Sequence, residues 1–313
     1  MGSASYIAGR LAQVLPTLAL VVVLVFVLAH LLPGDPALAM LGDRATIENL
    51  ERARQAMGVD RPILEQFLTY IGKVASGDLG QSLLLRVSVT SLVIDRLPVT
   101  LTLTAFASVL AAAIAVPLAL IAALRRGSNL DLAIRGVFQV GLSMPVFFVG
   151  LIFMIVLAAG FGWFPVGGYG NGFVDIIHHL FLPALTLAFS FAAILVRNLR
   201  ASLIEVLDAE YVTFATAKGL RRRLVLARHV LRNAAISTVT LFGLHVGTLV
   251  GGAVITETVF GIPGVGRLMV DSIFARDYQV VQGLTLTLAV LVSLVFLAVD
   301  LVQAALDPRH THE

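Results

Sequence analysis

Long apolar runs alternate with short polar ones along this 313-residue chain. Six runs reach the length that a helix rising 1.5 Å per residue needs to cross a bilayer core of roughly 30 Å. They are Leu11–Leu32, Val99–Leu124, Ile134–Phe161, Ile176–Val196, Ala234–Phe260 and Val280–Leu306. Pro117, Pro145 and Pro183 fall inside the second, third and fourth runs. Each removes a backbone donor and invites a kink or hinge. The first run competes with a cleavable signal peptide, because Ala37-Leu38-Ala39 resembles a cleavage site. The run is longer than a typical signal core, and Leu32-Pro33-Gly34-Asp35-Pro36 separates it from that site, so a retained anchor is expected.

Two polar stretches interrupt the pattern. Residues 33–96 carry eight acidic and seven basic side chains and read as a small, solvated helical segment. Within it, Glu48 to Met57 predicts a short helix stopped by Gly58. Pro62 opens another, with an apolar stripe of Ile63, Phe67, Tyr70, Ile71 and Val74 that ends near Gly77. The second stretch, Asp208–Asn233, is the longest polar interruption in the last two-thirds of the chain. With Arg200 just upstream it holds seven of the 22 Lys and Arg. Tyr211, Phe214, Ala215 and Lys218 recur at i, i+3, i+4 and i+7, which places them on one helical face. Asp208 suits the N-cap, and Gly219 suits the left-handed turn past the end. A second short helix is expected over Leu224 to Leu231. Such a loop either plugs a groove on another protein or simply holds its side of the membrane by positive charge.

Composition decides the class. Hydrophobic residues make up 58% and charged residues 13%, against about 25% charged in soluble domains, and mean hydropathy is +0.95. The expected fold is all-α: a polytopic integral membrane protein of six transmembrane helices. The net charge of +3 does not argue for nucleic acid, because the basic residues sit in short loops where they set topology. Arg10, the Arg125-Arg126-Arg135 loop, the Arg197–Arg232 loop and Arg309 fall on one side, so both termini are expected in the cytoplasm. No cysteine is present, which excludes disulfides and thiolate metal sites.

Candidate chemistry is sparse. No G-x-x-x-x-G-K-[ST] occurs, and neither lysine, Lys73 or Lys218, follows a phosphate loop. No H-E-x-x-H occurs, and His178-His179 would point about 100° apart on a helix. At membrane depth, His245 lies either on a substrate path or in a hydrogen bond to a neighbouring helix. Glu257 and Asp300, near span ends, are expected to reach interfacial water. Gly243, Gly247, Gly251 and Gly252 include two G-x-x-x-G spacings, which let helices approach closely within the chain or against a second subunit. Gly261 to Gly266 reads as a broken, re-entrant turn.

The segment Asp208–Gly219, with Ala215-Thr216-Ala217-Lys218-Gly219 and the following Arg228-His229-Val230-Leu231-Arg232-Asn233-Ala234, resembles the cytoplasmic signature loop of ABC importer permeases. Within these it is similar to the dipeptide/oligopeptide/nickel branch, dipeptide-permease B-like subunits included. The likeness runs nearly end to end. It includes Leu31-Leu32-Pro33-Gly34-Asp35-Pro36, Gly77-Asp78-Leu79-Gly80-Gln81-Ser82, Arg96-Leu97-Pro98-Val99-Thr100-Leu101 and Ser143-Met144-Pro145. It continues through Gly251-Gly252-Ala253-Val254, Glu257-Thr258-Val259-Phe260, Pro263-Gly264-Val265-Gly266-Arg267, Ala275-Arg276-Asp277-Tyr278 and Leu306-Asp307-Pro308-Arg309. The chain departs from the broad pattern at Thr213-Phe214-Ala215, Ser237 and His245, which leaves the substrate open.

The resemblance implies a type I importer permease fold. Its parts would be a cytoplasmic N-terminus and first helix over 1–32, an extracytoplasmic helical segment over 33–96, a permease core over 97–306 with the loop 200–233, and a cytoplasmic tail over 307–313. It implies a bacterial inner-membrane transport subunit, not an enzyme, that binds no cofactor itself. ATP and Mg would sit on two cytoplasmic ABC ATPase subunits. The other partners would be a homologous second permease, an extracytoplasmic substrate-binding protein and membrane lipid. Asp208, Tyr211, Phe214, Ala215, Lys218 and Gly219 would couple to an ATPase, and Ser143, Pro145, His245 and Glu257 would mark the translocation path. The implied cargo is a di- or oligopeptide, with nickel or a metal chelate, glutathione or haem as alternatives. A stand-alone secondary transporter would usually show repeats or several intramembrane carboxylates, and a membrane enzyme a convergent reactive cluster. Neither pattern is evident.

Overall fold

A computed structural model describes residues 3–31, 46–82 and 84–306. The Pro33–Pro36 and Ala37–Ala39 motifs, and residues 307–313 with Arg309, lie outside the described residues, as does the side chain of Ser237. Among the described residues the regular elements are helices, with a single bridge between Gln81 and Ser88. In chain order the helices are α1 (Ser3–Leu31), α2 (Ile47–Met57), α3 (Ile63–Ala75), α4 (Val89–Leu124), α5 (Asn129–Ser143) and α6 (Val146–Phe153). There follow α7 (Phe173–Leu207), α8 (Glu210–Ala217), α9 (Arg222–Leu224), α10 (Arg232–Phe260), α11 (Val265–Phe274) and α12 (Tyr278–Leu306). π-Helical turns at Met154–Gly160 and Val225–Leu231 extend α6 and join α9 to α10.

The bundle is organised on α4 and α7. Ala107, Ala111, Ala115 and Ala119 form an i, i+4 ridge on α4, and Ala184, Ala188 and Ala192 form another on α7; all are buried. In a bilayer, where apolar lipid removes the hydrophobic drive between helices, such small residues let backbones approach and gain dispersion contact. Leu103, Leu180, Leu187, Leu195 and Phe191 fill the space around these ridges. α10 packs on α7 and α12, and α1 packs on α12.

Four described helices are long and apolar enough to cross a membrane: α4, α7, α10 over Thr238–Phe260 and α12 over Tyr278–Leu301. The run expected over Ile134–Phe161 is not one straight span. It breaks at Ser143–Pro145 into α5 and α6, bent by 113°, and counts as a fifth crossing only if the pair acts as one. α1 itself runs over Ser3–Leu31, 29 residues or about 44 Å of helix, and carries an apolar stretch over Ala12–Leu28.

Helix ends also differ from the pattern. α4 starts ten residues before Val99 and runs through both Pro98 and Pro117, a length of about 54 Å. Packing holds the extra turns: Val89 and Val93 are buried with Val265, Val280 and Leu284. α7 likewise continues through the buried Pro183 to Leu207. The glycine spacing on α10 closes within the chain. A Cβ on Gly243 would come within 2.2 Å of Val299, and one on Gly247 within 2.7 Å of Phe296, both on α12. Gly251 has open space instead.

Candidate functional site

α8 is a short helix on a rigid base. Val212 and Ala215 are 6% and 8% exposed and pack with Ala119, Ala123, Leu199, Leu203, Val225 and Val230. Tyr211 and Phe214 are 43% and 66% exposed. The expected common face therefore divides. Tyr211, Phe214 and Lys218 are outward, whereas Ala215 is turned into the bundle, because it lies only about 60° around the helix from the buried Val212. Asp208 does not cap α8. It closes α7, while Ala209 holds the N-cap position with no side-chain bond. Its carboxylate accepts from Arg126 at 3.1 Å instead. Gly219 is left-handed, φ +77°, as its place past the helix end requires. The expected helix over Leu224–Leu231 is instead α9 followed by π turns that run without a break into α10. Asn233 Nδ2 donates to the Tyr211 hydroxyl at 3.1 Å and to His229 O at 2.8 Å, which ties α8 to the start of α10.

A buried fork stands behind this loop, and sequence reasoning missed it. Arg200 Nε and Nη2 each donate at 2.7 Å, to Asp131 Oδ1 and Oδ2 respectively. Gly127 N donates to the same carboxylate at 3.0 Å, and Asp131 N donates to Ser128 Oγ at 3.3 Å. The signal was present: Ser128-x-x-Asp131 is a reciprocal capping pattern. The charge count on that loop registers Arg125, Arg126 and Arg135 and gives no sign of the acid's partner 69 positions away. The fork joins α5 to α7, so the basic end of the bundle is held by geometry as well as by charge.

The path candidates separate. Ser143 and Pro145 are exposed at the 113° break, where the Ser143 hydroxyl donates to Gln139 O. His245 is half-buried mid-span, with its ring centroid 5.9 Å from that of Phe191. Among the described residues its ring nitrogens have no hydrogen bond, and its backbone carbonyl accepts from Thr248 Oγ1 at 2.7 Å. Glu257 is fully buried and does not reach interfacial water. Its Oε1 accepts from Thr100 Oγ1 at 2.6 Å, and its Oε2 accepts from Gly266 N at 2.8 Å and Arg267 N at 3.1 Å. Val265 N in turn donates to Thr100 Oγ1. The carboxylate thus caps α11, where backbone donors and the helix dipole stabilise negative charge. The Gly261–Gly266 turn is pinned further by Arg267 donating to Gly261 O and by Arg96 donating to Pro263 O.

A second strap at this end joins two of the motifs. Ser82 Oγ and Leu84 N donate to Asp277 Oδ2, and Gln81 N donates to Gln279 Oε1. His178 and His179 bond separately, to Trp163 O and Asp175 O. No group of three or more metal-ligating side chains occurs among the described residues.

A family profile described as "Binding-protein-dependent transport system inner membrane component" matches residues 115–312, and an N-terminal companion profile of such transport systems matches residues 4–104. The chain belongs to this family. It is therefore a multi-pass transport subunit, rather than an enzyme, of a binding-protein-dependent ABC importer, which works with an ATPase and a substrate-binding protein. It is 38% identical to the di/tripeptide transport system permease protein DppB of Pseudomonas aeruginosa, over 99% of both chains. It is 39% identical to the glutathione transport system permease protein GsiC of Escherichia coli, over 97% of this chain and 98% of that one. In fold it is similar to a chain of the inward-facing MetNI methionine ABC transporter, with a TM-score of 0.58 at 17% identity, covering 69% of this chain and 96% of that one.

Proposed function

We propose that this permease imports di- or oligopeptides, paired with a homologous second permease and driven by two cytoplasmic ATPase subunits that carry ATP and Mg. The observation that carries the coupling part is α8 itself. A buried Val212–Ala215 face and the Asn233–Tyr211 bond fix it to the bundle, while Tyr211 and Phe214 stand bare at the basic end. A short rigid helix with an outward aromatic pair fits a groove on a partner. Asp208 and Gly219 bound this element, Ala215 seats it and Lys218 flanks it. The basic loops and the rule that cytoplasmic loops carry Lys and Arg support cytoplasmic termini, with residues 46–82 outside, where they meet the binding protein or cover the pore. The exposed break at Ser143–Pro145 and the half-buried His245 are assigned to the path; Glu257 is assigned as its strut.

Peptide cargo is supported by the near full-length similarity to the DppB protein, and glutathione, itself a tripeptide, by that to the GsiC protein. The test is co-purification and uptake. P-loop ATPases should come down with the wild-type chain, and Phe214→Asp or Gly219→Asp should lose them or lose ATP-dependent dipeptide uptake. Phe214 is the sharper probe, since an acid at the buried Ala215 would also disturb packing. An unchanged uptake rate in Phe214→Asp would overturn the coupling assignment. A wild type that takes up no labelled di- or tripeptide would overturn the cargo.

A further inference from the structure

Helix α3 rests against the far end of α1 with an apolar edge left bare. Phe26 of α1 is buried against Phe67 and Tyr70, ring centroids 5.0 and 5.8 Å away, and His30 Nε2 lies 3.0 Å from Gln66 Oε1. At about 100° per residue, Ile71, Leu64 and Leu68 continue the apolar arc about 40–100° beyond Phe67, while Glu65, Thr69 and Lys73 occupy the opposite side. Leu64 and Leu68 are 65% and 61% exposed, and no residue of α3 is buried. Nothing among the described residues covers this edge.

Its position along α1 says what does. From Arg10, which marks the basic end, to His30 is about 30 Å of helix, one hydrocarbon thickness. Leu24, Val27, Leu28 and Leu31 form an exposed face of α1 and, in a chain that crosses the bilayer, that face meets acyl chains. α3 docks through Phe26 and His30, within the last turn and a half of α1. Its bare edge therefore sits at the level of Leu28 and Leu31, where the lipid-facing surface of α1 meets the headgroups. Amphipathic helices that lie in a membrane surface bury their apolar face about 5–10 Å, at the boundary between headgroups and acyl chains.

We propose that α3 is an interfacial helix whose Leu64, Leu68 and Ile71 are sunk in the lipid leaflet surrounding the Leu28 end of α1, with the phospholipid surface as their partner. The polar segment is then anchored to the bilayer as well as to the bundle. The strap that leaves α3, through Gln81 and Ser82 to Gln279 and Asp277, starts from a lipid-supported base. The proposal concerns depth alone and is independent of cargo and of which leaflet is outer.

The absence of cysteine makes the test direct. Leu68→Cys and Thr69→Cys, each in the full chain within the intact transporter, are spin-labelled and reconstituted in vesicles of phosphatidylethanolamine and phosphatidylglycerol. The signal of the cysteine-free chain in the same assembly is subtracted. Power saturation then compares access to oxygen, which partitions into lipid, with access to a water-soluble nickel chelate. The label at 68 should favour oxygen, and the ratio should reverse at 69, which faces water. Equal access to the nickel chelate at both positions would put the edge in water and overturn the proposal. So would an immobilised label at 68 shielded from both reagents, because a protein would then cover the edge.

Discussion

The Asp131–Arg200 fork gives the sharpest stability prediction. The Asp131 side chain is 1% exposed and that of Arg200 17%, so the carboxylate is sealed from water and the guanidinium mostly so. Asp131→Asn keeps the shape but leaves a mostly buried guanidinium without its counter-charge. Losing one partner of a buried pair costs about 3–5 kcal/mol, and the 17% exposure of Arg200 favours the lower figure. At about 2–4 °C per kcal/mol for chains of a few hundred residues, about 3 kcal/mol becomes a fall of about 6–12 °C in Tm. Heating the detergent-solubilised protein at one fixed scan rate, with the folded fraction read by size exclusion, measures it. Asp208→Asn provides the contrast. It breaks the Arg126 pair, whose side chains are 61% and 69% exposed, so it should cost at most about 1 kcal/mol. The double variant Asp131→Leu/Arg200→Met removes both charges and should recover most of the loss, because no buried charge is left unpaired and the one donor that loses its acceptor, Gly127 N, belongs to an exposed residue. A double variant no more stable than Asp131→Asn, or an Asp131→Asn shift no larger than that of Asp208→Asn, would refute the reasoning.

Three further outcomes follow from geometry. Glu257→Ala strips the acceptor from Gly266 N, Arg267 N and the Thr100 hydroxyl, at about 1–3 kcal/mol for each group left unsatisfied. Hydrogen exchange should speed up first over 261–268, and protection there equal to wild type would remove Glu257 as the cap. Gly243→Val should destabilise the α10–α12 contact and be partly rescued by Val299→Ala, since the new Cβ falls 2.2 Å from the Val299 side chain. Gly251→Ala meets nothing within 4 Å and should raise Tm slightly, by the roughly 1 kcal/mol that separates alanine from glycine in a helix. A Gly251→Ala variant that unfolds earlier would place a partner on that face.

Much of this protein is legible in one dimension. Apolar runs bounded by arginine name the spans, because a helix must satisfy its backbone internally in lipid and loop charge sets direction. Gly58 and Gly219 mark helix ends through the left-handed conformation that glycine adopts without cost. The aromatic pair Tyr211 and Phe214 could be placed on one face from spacing alone. What spacing could not decide is which edge of that face is covered. Ala215 and Val212 lie inward because Leu199, Leu203 and Val230 arrive there from positions at least nine residues away in sequence.

The same division holds for charge. Counting arginines finds the basic side of the bundle, since topology depends on number and side rather than on partners. It cannot find Asp131, paired across 69 positions with Arg200, or Glu257, bonded across 157 positions to Thr100. At a span end Glu257 reads as a group that reaches water; in three dimensions it is sealed beneath α11 and satisfied by backbone donors. Local pattern records what each segment needs from its surroundings, lipid, water or a turn. Which distant residue supplies a buried carboxylate with its donors is decided only when the helices pack.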